Sequence, residues 1–208
     1  MKIIPLFSTP CYIENIERIN HKNIIQKLEK VEYDVVGSNN AMMSKSDHIL
    51  DDHLFFKLKE KILEKFDNFI YNHLNFENIK FYINNSWVNL HCPGHWGQVH
   101  YHPNSFYSGV YYPQKIDQET GFITFSCPDT YPTYISTNID PKIKEYNIIN
   151  SRKWSISLEE GDVMFFPSHL LHEVTQNLSS DQKRFSIAFN FWIDEFIDER
   201  RSKYLKIK

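Results

Sequence analysis

From Lys80 to Ile193 the chain is a succession of short runs rich in aromatic and β-branched residues, set apart by Pro, Gly, Asn and Asp. The runs are KFYINNSWVNL, SFYSGVYY, GFITFS, WSISL, GDVMFFPS, HEVTQ and KRFSIAFNFWI. Such residues fit a pleated, half-buried surface, and the breakers between them supply turns. Seven or more short strands in a row favour an antiparallel sandwich or jelly roll over an alternating β-α order. Before Lys80 the texture differs. Ile24, Ile25, Leu28 and Val31 are spaced as on a helix, GSNNAMMSKSD reads as a loop, and from about Asp51 to Leu74 apolar residues such as Leu58, Ile62, Phe66 and Phe69 recur every three or four positions. That long apolar stripe needs a sheet to cover. No repeat or Pro/Gly-rich linker divides the chain. The expectation is one mainly β domain with two N-terminal helices: a helical support region over 1–79, a jelly-roll core over 80–195 and a tail over 196–208.

The net charge of −3 points to neither a nucleic-acid coat nor a membrane-surface protein. The start, MKIIPLFSTP, has no long apolar stretch and no later window reaches the length of a span, so the cytoplasm is the expected location, with no membrane and no nucleic acid as partners. Cys11, Cys92 and Cys127 are odd in number, scattered and free of any C-x-x-C pair, which suggests neither a disulfide framework nor a zinc ribbon.

The chemistry concentrates in histidine. Four of the ten, His91, His95, His100 and His102, lie within twelve residues, and His169 and His172 lie in the second half of the β region. In QVHYHPN the pair His100 and His102 is two apart, so on a strand both rings face one side and can chelate one metal ion. Alone, the pair also fits surface or hydrogen-bonded core histidines. The segment EGDVMFFPSHLLHEVTQN then offers a glycine turn, an apolar strand, a proline bend and His172 at the head of the next strand. Gly161, Pro167 and His172 resemble the second cupin motif, and a His-x-His pair followed about seventy residues later by a lone His matches the double-stranded β-helix metalloproteins, which include cupins and 2-oxoglutarate oxygenases. His169, on the bend, reads as a loop residue.

Past His172 a polar turn leads into RFSIAFNFW, where alternation puts Arg184, Ser186, Ala188 and Asn190 on one face and Phe185, Ile187, Phe189 and Phe191 on the other. A hairpin centred near Leu178 or Ser179 sets Arg184 or Ser186 across from His172, about 5 Å away. A guanidinium inside the barrel is costly without an anion, and its fork of donors suits a carboxylate. A five-carbon keto-diacid meets that demand: one end chelates iron, while the distal carboxylate reaches Arg184 and Ser186.

The stretches SWVNL, HYHPNSFYSGVYY, GFITF, GDVMFFPSHLLHEV and RFSIAFNFW, with the opening PLFSTPCYI, are similar to a largely uncharacterised group of iron(II)- and 2-oxoglutarate-dependent oxygenases of bacteria and their phages. A phage source would make the host cytoplasm the location. The resemblance implies Fe(II) and 2-oxoglutarate as cofactor and co-substrate, molecular oxygen, conversion of 2-oxoglutarate to succinate and CO2, and hydroxylation of a C–H bond in a small-molecule or peptide substrate. It implies His100, His102 and His172 as catalytic metal ligands and Arg184 with Ser186 as the 2-oxoglutarate anchor. Asn190 on the same face and Tyr112, in competition with Tyr111, are further co-substrate candidates, and Trp87, Asn89 and His91 alternate on a strand that would line the substrate side.

The pattern departs from the family at one point. Most such enzymes bind iron through two histidines and a carboxylate, the latter two residues after the first histidine, where His102 stands here. Either His102 is the third ligand or another group supplies it; of the carboxylates, Glu173 should alternate to the other face from His172, and Asp117, Glu119 and Asp129 lie in apparent loops. The alternatives to an oxygenase are a cupin-type three-histidine enzyme that uses no keto acid, against which Arg184 and Ser186 argue, and a non-catalytic jelly-roll binding protein. The long aromatic segment 127–147 reads as a lid, and neither the primary substrate nor the oligomeric state has a legible code.

Overall fold

Alternation along residues 184–193 shapes the architecture, because it gives one strand two different faces to cover. The computed structural model describes residues 8–37, 41–127, 142–198 and 203–206. That strand, Arg184–Asp198, lies antiparallel between Ile79–His91 and Tyr107–Tyr111. In chain order the strands are β1 (Tyr12–Asn15), β2 (Tyr33–Val36), β3 (Ala41–Ser44), β4 (Ile79–His91), β5 (Gly97–His100), β6 (Tyr107–Tyr111), β7 (Ile123–Ser126), β8 (Lys153–Ile156), β9 (Asp162–Pro167), β10 (His172–Val174), β11 (Arg184–Asp198) and β12 (Lys203–Lys206). The larger sheet runs β1-β9-β6-β11-β4-β3-β2, with β12 paired to the far end of β11, and the smaller runs β5-β10-β7-β8. The chain is therefore mainly β, with antiparallel sheets in a jelly roll, as its composition leads one to expect.

The two faces of the larger sheet bury different clusters. Phe185, Ile187, Phe189 and Phe191 of β11, with Val163 and Phe165 of β9, pack under the helices α1 (His21–Leu28) and α2 (Phe56–Asp67). Ala188, Met164 and Phe166 face the smaller sheet and meet Val110, Ile123 and Phe125. On α2 the buried residues Leu58, Ile62 and Phe66 are four apart, and the Phe66 ring stacks on Phe191 with centroids 3.5 Å apart. Full burial of each such side chain stabilises by roughly 1.5–3 kcal/mol. Gly109 on β6 is required by this packing, since a Cβ there would overlap the Phe189 ring. No helix among the described residues is long and apolar enough to cross a membrane.

Three local expectations change. The segment read as a loop contains β3, which pairs with β2 in a hairpin and with β4 beyond it. Its apolar residues Ala41, Met42 and Met43 are too few to register as a strand. The stretch Asp51–Leu74 is helical but not one α-helix: two short 3-10 turns, Ile49–Asp51 and His53–Phe55, precede α2, and a wider π turn, Asn68–His73, follows and lets consecutive Phe69 and Ile70 both be buried. Finally, β10 and β11 do not form a hairpin. The link between them crosses from one sheet to the other, held by Asn177, whose Nδ2 donates to the carbonyls of His91 and Gln182. Arg184 pairs with His91 of β4, not with His172.

Candidate metal centre

The crossing link still delivers Arg184 and His172 to one place, because the inner faces of the two sheets look at each other across a cavity of about 320 Å3. His172 opens β10 and is the register partner of His100 on β5. His102 lies two residues past the end of β5, where its backbone N–H donates to Ser168 O at 2.9 Å. The ring centroids are 4.3 Å apart for His100 and His172, 5.0 Å for His102 and His172, and 5.3 Å for His100 and His102. One ligand atom from each histidine lies within 4.8 Å of the others.

The hydrogen bonds around the rings fix their tautomers. His100 Nδ1 is 2.7 Å from Gln98 O, His172 Nδ1 is 2.9 Å from Leu170 O, and His102 Nδ1 is 2.6 Å from Asn190 Oδ1. A carbonyl oxygen only accepts, so each Nδ1 carries a proton, which in a neutral ring leaves the lone pair on Nε2. Burial pulls His102 down to about 4, against the Asn190 hydrogen bond, and His172 to about 3, aided by its imidazole neighbours, so both are neutral at pH 7. Three imidazole donors within 4.8 Å of one another, with His102 and His172 buried and neutral, are a set that a divalent cation can bridge. The donor set therefore fits iron(II), which accepts imidazole nitrogen readily.

Behind His102 lies a polar network. Ser108 Oγ is 2.7 Å from His102 Nδ1, 2.8 Å from Asn190 Oδ1 and 2.8 Å from Ser168 Oγ, and Asn190 Nδ2 donates to Asn85 Oδ1. Asn190, expected near the co-substrate, thus spends its amide on His102 and Asn85. Among the described residues the histidines form the one cluster able to hold a metal, with no Asp or Glu in it. Glu173 pairs with Lys153 at 2.7 Å, and Asp117 accepts from the backbone N–H groups of Glu119 and Thr120. Asp129 and most of the expected lid, 128–141, lie outside the described residues.

Arg184 is 1 % exposed and meets no carboxylate among the described residues. Its Nη1 donates to Thr120 O at 2.6 Å and, more weakly, to Thr175 O at 3.4 Å, while Nη2 has no partner. Gly121 makes room for it, since a Cβ at that left-handed position (φ +94°) would overlap Nη1. Burial pulls the guanidinium down to about 10, so it stays charged at neutral pH. A buried, uncompensated cation with a free donor fits an acidic ligand. Ser186 lines the cavity two residues on, and Tyr112 joins from the end of β6, its phenol pushed up to about 12 by burial and so a donor. Tyr111 points to the helical side, where its hydroxyl is 2.6 Å from His21 Nδ1.

The sequence reading missed several contributors to this cavity. Val36, Gly37, Ala41 and Met43 of the β2–β3 hairpin and Val99 of β5 line it, beside Trp87 and Asn89, which strand alternation already places there. The Gln98 and Leu170 carbonyls that orient two of the rings belong to backbone, which leaves no mark in residue identity. The Asn190–Ser108 pair was legible only as two polar residues of matching strand parity.

Residues 85–190 match the model of a family described as "Putative 2OG-Fe(II) oxygenase". Among curated proteins none matches the sequence. Solved structures with a similar fold include SnoN, a non-heme alpha ketoglutarate dependent epimerase from nogalamycin biosynthesis, at TM-score 0.65 and 13% identity over 90% of this chain and 81% of that one. HygX from Streptomyces hygroscopicus, with nickel, 2-oxoglutarate and hygromycin B bound, has TM-score 0.59 and 11% identity over 88% and 82%. A Pseudomonas putida prolyl-4-hydroxylase has TM-score 0.57 and 12% identity over 88% and 92%. At such identities the likeness is one of fold, whereas the family match covers half of the chain, 85–190 of 208 residues, and carries the whole cavity from Trp87 to Ala188 apart from its β2–β3 hairpin rim: this chain belongs to the 2OG-Fe(II) oxygenase family.

Proposed function

We propose that His100, His102 and His172 hold Fe(II) through their Nε2 atoms, that Arg184 with Ser186 and Tyr112 anchors the distal carboxylate of 2-oxoglutarate, and that the enzyme hydroxylates a C–H bond of a small-molecule or peptide substrate. The observation that carries this reading is the pairing, in one cavity, of three imidazoles with ring nitrogens within 4.8 Å of one another and a buried guanidinium whose Nη2 has no partner. When bound, iron with oxygen and 2-oxoglutarate supplies the oxidising chemistry, yielding succinate and CO2. The protein's own work is placement. Gln98 O, Leu170 O and Asn190 Oδ1 hold the three rings by their Nδ1 protons, so the metal-facing nitrogens need no reorganisation. Arg184 sets which end of the keto acid points away from the metal, and Phe125, Phe166 and Ile123 exclude water from the space between the sheets.

The primary substrate enters on this reading beside Trp87, between β5 and the β2–β3 hairpin, where Val36, Met43 and Val99 make an apolar rim. HygX binds hygromycin B, SnoN is an epimerase from nogalamycin biosynthesis, and the third is a prolyl-4-hydroxylase. A jelly roll of this type thus serves both small-molecule and prolyl chemistry, and both classes belong in the screen. The test is succinate formation from 2-oxoglutarate with Fe(II) and ascorbate against pooled candidates of both kinds. Turnover coupled to an oxidised product, and lost in His172→Ala, is the expected result. Metal binding with no affinity for 2-oxoglutarate would reassign the site to a keto-acid-independent reaction.

A further inference from the structure

His91 is 5 % exposed, and neither of its ring nitrogens has a hydrogen-bond partner. Orphaned polar atoms at such depth are rare and costly, and a ring with both nitrogens unpartnered can donate to or accept from a ligand in the cavity. The residue sits at the end of β4 as the register partner of Arg184, and both side chains line the cavity. The two neighbours leave complementary gaps. Both arms of Nη1 are directed at carbonyls, of Thr120 and Thr175, which leaves Nη2 for a ligand. Capture of a carboxylate through both Nη nitrogens is therefore closed, and the carboxylate takes its remaining hydrogen bonds from neighbouring residues, Ser186 and Tyr112 among them.

We propose that His91 is a further such donor: its imidazole N–H binds the distal carboxylate of the co-substrate beside Arg184 Nη2, and so helps select a dicarboxylic keto acid. The inference rests on the reading of this cavity as the 2-oxoglutarate site. It moves His91 from the substrate side, where strand alternation alone would put it, to the co-substrate end. The ring works as a neutral donor, because burial first and the Arg184 charge second hold its pKa at about 3. A neutral imidazole always presents one N–H and can choose the nitrogen that carries it.

The experiment uses the full chain loaded with manganese and compares binding of 2-oxoglutarate with that of 2-oxopentanoate, which keeps the metal-chelating end and five-carbon chain but lacks the distal carboxylate. The wild type is expected to prefer 2-oxoglutarate. His91→Phe is expected to weaken 2-oxoglutarate about tenfold or more, with 2-oxopentanoate and manganese affinities within about twofold of the wild type. His91→Gln, which retains an N–H donor, should recover most of the loss. Equal weakening of both acids in His91→Phe would mean a packing role and overturn the proposal, as would an unchanged preference. Should His91→Phe fold poorly, the wild type decides: in the zinc-loaded protein the His91 imidazole N–H resonance, assigned by its loss in His91→Gln, should shift with 2-oxoglutarate and not with 2-oxopentanoate, and the absence of that shift overturns the proposal. A wild type with no preference between the acids overturns the 2-oxoglutarate reading and this inference together, whereas a preference that survives in His91→Phe overturns the inference alone.

Discussion

Arg184→Met separates a ligand-binding role of the guanidinium from a packing role, because the structure assigns opposite energetic signs to the two. Without a ligand the side chain is 1 % exposed and its cation is answered only by the Thr120 and Thr175 carbonyls. The depression of its pKa from 12.5 to about 10 corresponds to about 3 kcal/mol of penalty on the charged form. Methionine removes that penalty and fills similar space, but leaves the Thr120 carbonyl without its donor, at a cost of about 1–3 kcal/mol. The two nearly offset, so the metal-free variant should unfold in urea within about 2 kcal/mol of the wild type. The loaded protein behaves otherwise. Loss of the charge-assisted contact should weaken 2-oxoglutarate by about 2–5 kcal/mol, or about 30-fold to several thousand-fold in dissociation constant. Calorimetric titration of the manganese form reads this directly, with manganese affinity itself expected to stay within about threefold. An affinity for 2-oxoglutarate within threefold of the wild type would refute the anchor assignment. A loss of more than about 4 kcal/mol in the metal-free variant would show that Arg184 is held for the fold instead.

His102→Ala should lower metal affinity strongly and His172→Ala more so, whereas His102→Asp should retain the metal in a two-histidine, one-carboxylate set; a His172→Ala variant that binds manganese like the parent would remove the site altogether. Asn190→Leu and Ser108→Ala withdraw the partners of His102 Nδ1 and should cost about 10–100-fold in metal affinity with the fold intact by circular dichroism. The pKa of His91 is held at about 3 in the folded chain, against 6.5 in its absence, so the folded state keeps the ring neutral while the unfolded chain takes up a proton below pH 6.5. Its contribution to stability is full above that pH and falls by about 1.4 kcal/mol per unit as pH drops from 6.5 towards 3. His91→Gln should flatten that part of the urea-midpoint profile of the metal-free protein between pH 7.5 and 5.5, and an unchanged slope would contradict it.

The parts of this protein that were legible in the sequence are those where identity and spacing are themselves the cause. Alternation in RFSIAFNFW dictates two faces, and the burial of Phe185, Ile187, Phe189 and Phe191 under the helices, opposite Arg184 and Ser186, is its direct consequence. His100 and His172 fall in register because a jelly roll sets β5 beside β10. What the sequence hid was pairing between distant elements. Residues 175–183 look like a hairpin turn, yet they carry the chain between sheets, as the pairing of Arg184 with His91 and the Asn177 contacts to His91 and Gln182 show. The β2–β3 hairpin escaped for a similar reason: four residues per strand are too few to hold a periodic signal, and β3 is placed by its pairing with Leu90 and Asn89 of β4. Backbone acceptors such as Gln98 O and Thr120 O have no sequence signature at all.

The identity of the third imidazole sets the charge of the cavity, and with it the order of events on loading. A carboxylate in the place of His102 would bring one negative charge to the metal. Here the ring is neutral, the group behind it is the amide of Asn190, and no Asp or Glu among the described residues lines the cavity. On the proposed reading a divalent cation and the Arg184 guanidinium then share about 320 Å3 with no fixed counter-charge. Each raises the electrostatic cost of the other, and a dianion that reaches both removes the two costs at once. Metal and 2-oxoglutarate should therefore bind with positive coupling, on the order of tenfold or more, and the coupling must be the same whichever is titrated first. His102→Asp supplies the missing charge beforehand. It should bind manganese more tightly than the wild type when the keto acid is absent, and should show a smaller enhancement when it is added. The assay is manganese affinity with and without 2-oxoglutarate in both proteins, and an enhancement in His102→Asp equal to that of the wild type would refute the charge argument while leaving the three-histidine geometry in place.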